Sequence, residues 1–532
     1  MEEQFITAWL ALREKAAAIG VRLRPVEREK AMQLAHRSLQ GHRESEGFGV
    51  LADKKRLDLS LEALAVDKRF GALFTDEEAN NALSRLLNAG YYQKQKSSPN
   101  GEDFLLLSGG FDFPRENRYN IRKNIRKEHP MKYDFTSVMD RRGKDAIAVD
   151  MVGKPGFGPD APLPGFETIP MWVADMNFPV VPTIVEAMIK RAQHPAFGYF
   201  QPTAEYFDAI IRWHETRNGV QGLQAQHIGY ENGVLGGVVT ALNTFCSRGD
   251  KVLVHSPTYI GFTHSLQNNG YEIVRSRLVK DADDVWRMDF EDMEEKLREH
   301  KIHAAILCSP HNPTGRVWEK WEIEKAMELY KKYDVFVVSD EIWSDILLEG
   351  YKHIPTQSVS EDAKMRTVAL YAPSKTFNLA GLVGSYHIVY NPRIKDRMDK
   401  EASLSHYNSM NVMSMHALLG AYRPEGYEWV DELKQVITGN VDWAVEFIRT
   451  HLDGITVSRP QGTYMLFLDC SGWCGKHGCD VGVLLKKGWD YGVGWQDGRP
   501  FHGQHHIRVN LALPLSRVQE AFERLEKYVF HN

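Results

Sequence analysis

Apolar and polar positions along the chain follow two rhythms. Over the C-terminal part, runs of four or five mainly apolar residues at 252–255, 304–308, 335–339 and 367–371 alternate with longer segments of helical spacing. Runs this short and this uniformly apolar suit strands buried on both faces, which predicts an α/β fold around a doubly wound, mostly parallel sheet. Tyr230 to Leu242 (Y-E-N-G-V-L-G-G-V-V-T-A-L) is glycine-rich and then apolar, predicting a loop that enters a buried helix. A helix over 516–528, with Val518, Phe522 and Leu525 on one face, is expected to finish a small domain.

Residues 1–113 read as a separate module. Phe5, Trp9 and Leu12 recur at helical spacing before Gly20, and Pro25 is placed to open a second helix reaching Leu39. A third helix is predicted over 59–70, and Thr75 with Glu78 forms a capping-box pair for a fourth through Asn88, ended by Gly90. Residues 91–95 and 104–107, flanking Ser97-Ser98-Pro99-Asn100-Gly101, read as a β-hairpin. Helices followed by a hairpin suggest a winged helix, a shape that can read DNA. The helix before the wing, however, opens Asp76-Glu77-Glu78 and offers only Arg85 as a base, which is wrong for a phosphate-lined groove. A docking, dimerising or structural role is favoured over DNA binding.

Composition narrows the class. The 532 residues are 43% hydrophobic and 25% charged, enough for two or three domains with large cores. A net charge of -5 argues against nucleic acid as the main partner. No apolar run approaches membrane length, and the acidic start Met1-Glu2-Glu3-Gln4 lacks the apolar segment of a signal peptide. Five cysteines make no disulfide framework, which points to a reducing cytoplasm. Residues 114–131 form a basic linker or exposed helix, with Arg115, Arg118, Arg122, Lys123, Arg126 and Lys127 before His129-Pro130.

Three predicted strands deliver reactive side chains at their C-terminal ends. The 304–308 run leads into Ser309-Pro310-His311-Asn312-Pro313-Thr314-Gly315-Arg316, and the 335–339 run into Asp340-Glu341-Ile342-Trp343. The 367–371 run leads into Ala372-Pro373-Ser374-Lys375-Thr376. Ligands of open α/β sheets bind outside these carboxyl ends, so Asn312, Asp340 and Lys375 are expected to converge on one crevice. A lysine set there among small and hydroxyl residues is placed to react with a cofactor aldehyde.

The order N-P-T-G, S-D-E-I and S-K-T-F-N-L-A-G-L resembles the fold-type-I pyridoxal-phosphate enzymes of aminotransferase class I/II. It is most similar to their carbon-sulfur β-lyase (cystathionine β-lyase) branch. Lys132-Tyr133-Asp134-Phe135, Asp140-Arg141-Arg142-Gly143, Pro170-Met171-Trp172-Val173-Ala174-Asp175-Met176 and Phe197-Gly198-Tyr199 carry the same likeness. It runs from about Lys132 to the C-terminus.

The resemblance implies pyridoxal 5'-phosphate as cofactor and assigns roles. Lys375 forms the Schiff base and removes the substrate's α proton; Asp340 pairs with the pyridine nitrogen; Asn312 donates to the phenolic oxygen. Gly233, Val234 and Leu235 match the phosphate loop, where helix N-terminal N–H groups hold an anion. Tyr259 stacks on the ring, Arg508 in Ile507-Arg508-Val509-Asn510-Leu511 grips the α-carboxylate, and Tyr199 reaches the phosphate of the other subunit. That last role implies a homodimer with shared active sites.

Three positions depart from the family's pattern. Ala372 replaces a serine three residues before the lysine, leaving Ser374 as the hydroxyl of that loop. Trp343 stands where a histidine or tyrosine approaches the phenolic oxygen; its indole N–H donates but neither accepts nor carries a proton. Asn177 replaces the second acid of A-D-M-D-F. Cys470, Cys474, His477 and Cys479, followed by His502, His505 and His506, have zinc-type side chains without paired C-x-x-C spacing, and no metal site is expected.

These readings combine into a cytoplasmic pyridoxal-phosphate enzyme that releases a thiol, pyruvate and ammonia from cystathionine or another cysteine S-conjugate. Its expected parts are an N-terminal accessory module (1–113), a linker (114–131), a small domain (132–174 with 423–532) and a large cofactor-binding domain (175–422). An aminotransferase and a transcription regulator with a cofactor-binding sensory domain remain as alternatives.

Overall fold

The computed structural model of the chain describes residues 2–40, 45–66, scattered positions from 70 to 89, 131–156, 158–405 and 408–531. The chain divides into two compact units, Met1–Ile121 and Arg122–Asn532. In the first, the helix Glu2–Ala18 buries Phe5 and Trp9 as its spacing predicts. The second helix starts later than Pro25 suggests: a single 3-10 turn at Arg28–Lys30 leads into Ala31–Leu39. A short helix, Phe48–Asp53, lies in a stretch with no helical periodicity to announce it. The third predicted helix is reduced to a 3-10 turn, Leu57–Leu59, and the helix Leu61–Ala65, which Ser60 caps through its side chain.

The capping box is made in both directions, with Thr75 N–H donating to Glu78 at 3.0 Å and Glu78 N–H to Thr75 Oγ1 at 3.3 Å. Arg85 is not a surface base: it is buried, and Nη1 donates to Glu62 Oε1 at 3.0 Å and to the Ser38 carbonyl at 2.9 Å. The predicted hairpin and the basic linker lie outside the described residues.

In the second unit, a two-residue strand β1 (Ile169–Pro170) precedes the eight strands of the main sheet. These are β2 (Ile228–Asn232), β3 (Lys251–Ser256), β4 (Glu272–Lys280), β5 (Trp286–Met288), β6 (Ile302–Cys308), β7 (Phe336–Asp340), β8 (Thr367–Tyr371) and β9 (Gly384–Ile388). Their order across the sheet is β2-β9-β8-β7-β6-β3-β4-β5. Strands β8, β7, β6, β3 and β4 are parallel, while β9 and β5 run against their neighbours. The sheet is therefore mixed but parallel at its centre.

The apolar runs have the reason the pattern implied. Val252, Val254, Ala304, Ile306 and Val338 enter one core, while Leu253, Ala305, Leu307 and Val337 enter another on the opposite face. Successive strand residues point to opposite faces, so a strand covered on both sides favours apolar residues at every position, and a polar one there needs a buried partner. Each such valine, leucine or isoleucine contributes roughly 1.5–3 kcal/mol by leaving water. The stretch read as a loop before the glycine helix is different: Tyr230, Glu231 and Asn232 belong to β2, and the helix Gly233–Phe245 begins at once. Glu231 hid the strand from an apolar count, since it is buried in a pair with His387 at 2.8 Å.

The remaining strands are β10 (Met465–Asp469), β11 (Val493–Gly494), β12 (Gln496–Asp497) and β13 (His506–Asn510). β13 lies between β10 and β12, antiparallel to both, and β11 pairs with β1. The 28-residue helix Pro424–His451 opens on proline and buries Trp429, Leu433, Ile437, Val441, Val445 and Ile448 at helical spacing. The terminal helix is Leu515–Leu525, widening into a π turn over Glu526–Phe530, with Val518, Phe522 and Leu525 buried.

Candidate active site

The carboxyl ends of β6, β7 and β8 open on one cavity of about 200 Å³. Gly233, Val234, Leu235, Tyr259, Asn312, Asp340, Trp343, Ser374 and Lys375 line it, joined by Ala174, Cys308, Ile342, Ala380, Val383 and Gly384. Asp340 is the last residue of β7 and Lys375 lies in the short helix Pro373–Thr376 just past β8. Three neighbouring parallel strands thus aim their chemistry at one point. Tyr199 lies apart, fully exposed, and is not part of this wall.

Lys375 projects into the cavity, and its Nζ donates to the Ala174 carbonyl at 2.8 Å. Burial lowers its ammonium to about 8, with the nearby Arg508 charge adding to the effect against Asp175 and Asp340. Asp340 responds in the opposite sense: burial raises its carboxyl to about 7, although the Ile342 N–H donates to Oδ1 at 3.1 Å. Both groups therefore titrate near neutrality, where a base and a hydrogen-bond acceptor are useful.

The helix Gly233–Phe245 begins at the cavity; the Gly233 N–H donates to the Val383 carbonyl at 3.0 Å, and the first-turn N–H groups after it have no partner four residues back. Gly233 takes φ +71, which a side chain would strain, and this sharp entry aims the turn. Ser374 adds a hydroxyl without a hydrogen-bond partner among the described residues.

Arg508 sits on β13, buried, and donates from Nη1 to Asn312 Oδ1 at 3.1 Å and from Nη2 to the Trp172 carbonyl at 3.2 Å. Its remaining partner is the Gln496 amide oxygen. All three acceptors are neutral; among the described residues no carboxylate pairs with this arginine. Burial alone is enough to lower it to about 10. A buried cation without an anion is costly unless a ligand supplies one. Because arginine only donates, Asn312 must turn its oxygen toward it, leaving the amide N–H groups free for the cavity.

Several residues that hold this site were not singled out from sequence. Tyr464 donates to the Ala174 carbonyl at 3.1 Å and packs edge-on against Trp343, ring centres 4.8 Å apart. Asn378 bonds both backbone groups of Met176 at 2.9 Å, and Asn510 donates to the Val173 and Asp175 carbonyls at 2.7 and 2.6 Å. Arg141 grips Asp175 through two N–H groups at 3.2 and 2.6 Å and reaches Asn177 Oδ1 at 3.1 Å. Asn177 is thus an acceptor for Arg141 in place of the second acid. Asn378 and Asn510 occur inside quoted motifs, but their carbonyl partners are far away in sequence. Ala372 is buried and caps no helix with a side-chain hydrogen bond.

The residues present fit pyridoxal phosphate. Free amide donors on Asn312, a buried carboxylate at Asp340, a helix N-terminus and a lysine of lowered basicity surround one cavity. Cys470 and Cys474 are buried, and among the described residues no cluster of three His, Cys, Asp or Glu side chains is placed to hold a metal.

A mixed sheet with parallel centre and this set of groups at its carboxyl edge defines a fold-type-I pyridoxal-phosphate enzyme. Residues 169–525 match the model for aminotransferase class I and II, and the chain belongs to that family. It is similar to cystathionine beta-lyase PatB of Bacillus subtilis, 32% identical over 401 residues, covering 74% of this chain and 99% of that one. The structure resembles cystalysin of Treponema denticola, whose crystal structure contains pyridoxal 5'-phosphate, with a TM-score of 0.69 and 29% identity over 75% of this chain and 99% of that one. It also resembles a PLP-bound putative aminotransferase from Clostridium difficile 630, with a TM-score of 0.68, 30% identity and coverage of 74% and 99%.

Proposed function

We propose that the protein is a pyridoxal-phosphate-dependent carbon-sulfur β-lyase, acting on cystathionine or another L-cysteine S-conjugate to release thiol, pyruvate and ammonia. The observation that carries the chemistry is the convergence of Lys375, Asp340 and the first turn of the Gly233 helix on one cavity, beside an arginine lacking an anion. Likeness to PatB supports elimination as the outcome.

When bound, the cofactor supplies an electron sink for a carbanion at the substrate's α carbon. Arg508 binds the α-carboxylate and so fixes which bond at the α carbon faces Lys375. Lys375 Nζ takes the α proton, helped by an amine that is partly neutral at pH 8. With the cofactor bound, Asp340 would accept the pyridine N–H, Asn312 would donate to the phenolic oxygen, and the Val234 and Leu235 N–H groups with the Ser374 hydroxyl would hold the phosphate, the Gly233 N–H being taken by the Val383 carbonyl at 3.0 Å. Tyr259 and Trp343 line the cavity; Tyr259 would stack on the ring and exclude water, and the Trp343 N–H would be a further donor near the phenolic oxygen.

The proposal includes a homodimer in a reducing cytoplasm. Val185 and Ile189 are exposed on the helix Pro182–Ala192, close in sequence to exposed Phe197 and Tyr199. A second copy would cover this apolar surface and let Tyr199 reach its cavity. Among the described residues, no helix is long and apolar enough to cross a membrane.

Purified protein loaded with pyridoxal phosphate and given L-cystathionine tests the reading, with pyruvate and free thiol followed with and without a 2-oxo acid. Both products without the acceptor support the lyase. Amino transfer that needs the acceptor moves the assignment to an aminotransferase, a reading favoured by the Clostridium difficile structure.

A further inference from the structure

The surroundings of Arg508 contain more than a carboxylate site requires. Its guanidinium lies over Phe501, with Cζ 4.5 Å from the ring centre. β12 and β13 pair so that Gln496 stands directly opposite Arg508. Opposed residues of an antiparallel pair project to one face with Cβ atoms about 5 Å apart, which brings the Gln496 amide oxygen onto Nη2. The two are hydrogen bonded, and Nη2 also donates to the Trp172 carbonyl.

A guanidinium offers a carboxylate two parallel donor pairs: Nε–H with Nη2–H along its side, and Nη1–H with Nη2–H across its end. Each pair uses one Nη2 hydrogen. Here both Nη2 hydrogens are occupied, so a bidentate carboxylate must displace an acceptor. The Trp172 carbonyl is main chain and enters a loop pinned by Asn510, Asn378 and Arg141. Gln496 hangs from a two-residue edge strand, is only partly buried, and turns about its own side-chain bonds. The glutamine is the acceptor that can leave.

We infer that Gln496 is a placeholder for the substrate's α-carboxylate, occupying the Nη2 donor of Arg508 in the free protein and yielding it when the carboxylate arrives. Its neutral oxygen satisfies a buried donor without cancelling the charge that attracts the substrate. Position 496 thereby sets carboxylate affinity as a positioning residue, acting through Arg508. A glutamate there would be a permanent rival.

The inference rests on Arg508 as the carboxylate partner, and the experiment separates the two. The probe is 3-(methylthio)propionate, a thioether carboxylate that lacks the amino group and so is not turned over; its amide is the neutral control. Dissociation constants are measured by calorimetry on cofactor-loaded wild type, Gln496→Ala, Gln496→Glu and Arg508→Ala. The carboxylate is expected to bind wild type in preference to the amide, to bind Gln496→Ala roughly three- to tenfold tighter, and to bind Gln496→Glu roughly tenfold or more weaker. Opposite signs in the two variants are something a merely structural glutamine does not produce. Unchanged or weaker binding to Gln496→Ala overturns the placeholder while leaving Arg508 in its role. Equal binding to Arg508→Ala and wild type overturns the role of Arg508, and the inference with it.

Discussion

Lys375 and Tyr464 donate to the same oxygen, the Ala174 carbonyl, from 2.8 and 3.1 Å. The tyrosine is fully buried and holds the acceptor on which the lysine rests. Removing only its hydroxyl, in Tyr464→Phe, should lower kcat about three- to tenfold with KM little changed, because the base loses positional restraint but keeps its chemistry. Tyr464→Ala should cost more, since Trp343 also loses its packing partner. Steady-state kinetics of the two variants check the order.

Lys375→Ala should abolish turnover by roughly 10³-fold or more, as expected when a base and nucleophile are removed together. Borohydride treatment should add the cofactor's mass to the wild-type chain and not to this variant. In wild type, cofactor uptake should accelerate as pH rises through about 8, where the Lys375 amine becomes neutral. A rate that keeps rising through about pH 10 without levelling above about 8 would contradict the lowered basicity.

Asp340 gives a stability prediction of unusual sign. Its folded carboxyl is raised from 3.8 to about 7, so the folded state holds a proton that the unfolded chain releases. Stability from this group is therefore present below about pH 4 and lost as pH rises to about 7. In the cofactor-free protein, Asp340→Asn should be stabilising at pH 8 by up to about 4 kcal/mol, with the difference vanishing toward pH 4. The same change should cut turnover about 10²-fold. Denaturant titrations at the two pH values decide.

Asn378 holds φ +57 and spends both ends of its amide on Met176. Asn378→Ala should destabilise the protein by roughly 2–3 kcal/mol, combining left-handed backbone strain with two lost hydrogen bonds. Thermal unfolding measures it.

Glu62 and Arg85 form a buried pair at 3.0 Å in the N-terminal unit. Arg85→Met alone should destabilise this unit by about 3–5 kcal/mol, leaving Glu62 buried without its cation. Adding Glu62→Leu should restore most of that loss, and a double-mutant cycle from chemical unfolding gives the coupling. The one base of the predicted helix before the wing is thereby assigned to the core of the unit.

Much of this site was legible because parallel strands advertise themselves. Thr367–Tyr371 is apolar throughout since both faces are covered, and its end marks Lys375. β2 was missed because Glu231 and Asn232 interrupt its apolar count, and their partners His387 and Asn408 lie more than 150 residues away. The same holds for Ala174: a carbonyl oxygen has no sequence identity, so its role as the seat of Lys375 emerges only from the fold. Phe48–Asp53 spans a turn and a half, too short for a periodic pattern to declare a helix.

The helix entering at Gly233 places its demand on the main chain. A seat made of main-chain N–H groups does not read the side chains at 234 and 235, which answer instead to the core that Val234 enters and Leu235 packs against. The burden of inheritance falls instead on one torsion angle, the φ of +71 at Gly233. Ala372, which brings no hydroxyl to the neighbouring loop, is the kind of change such a seat absorbs. The requirement at this helix start thus lies in backbone shape rather than in the identity of a side chain.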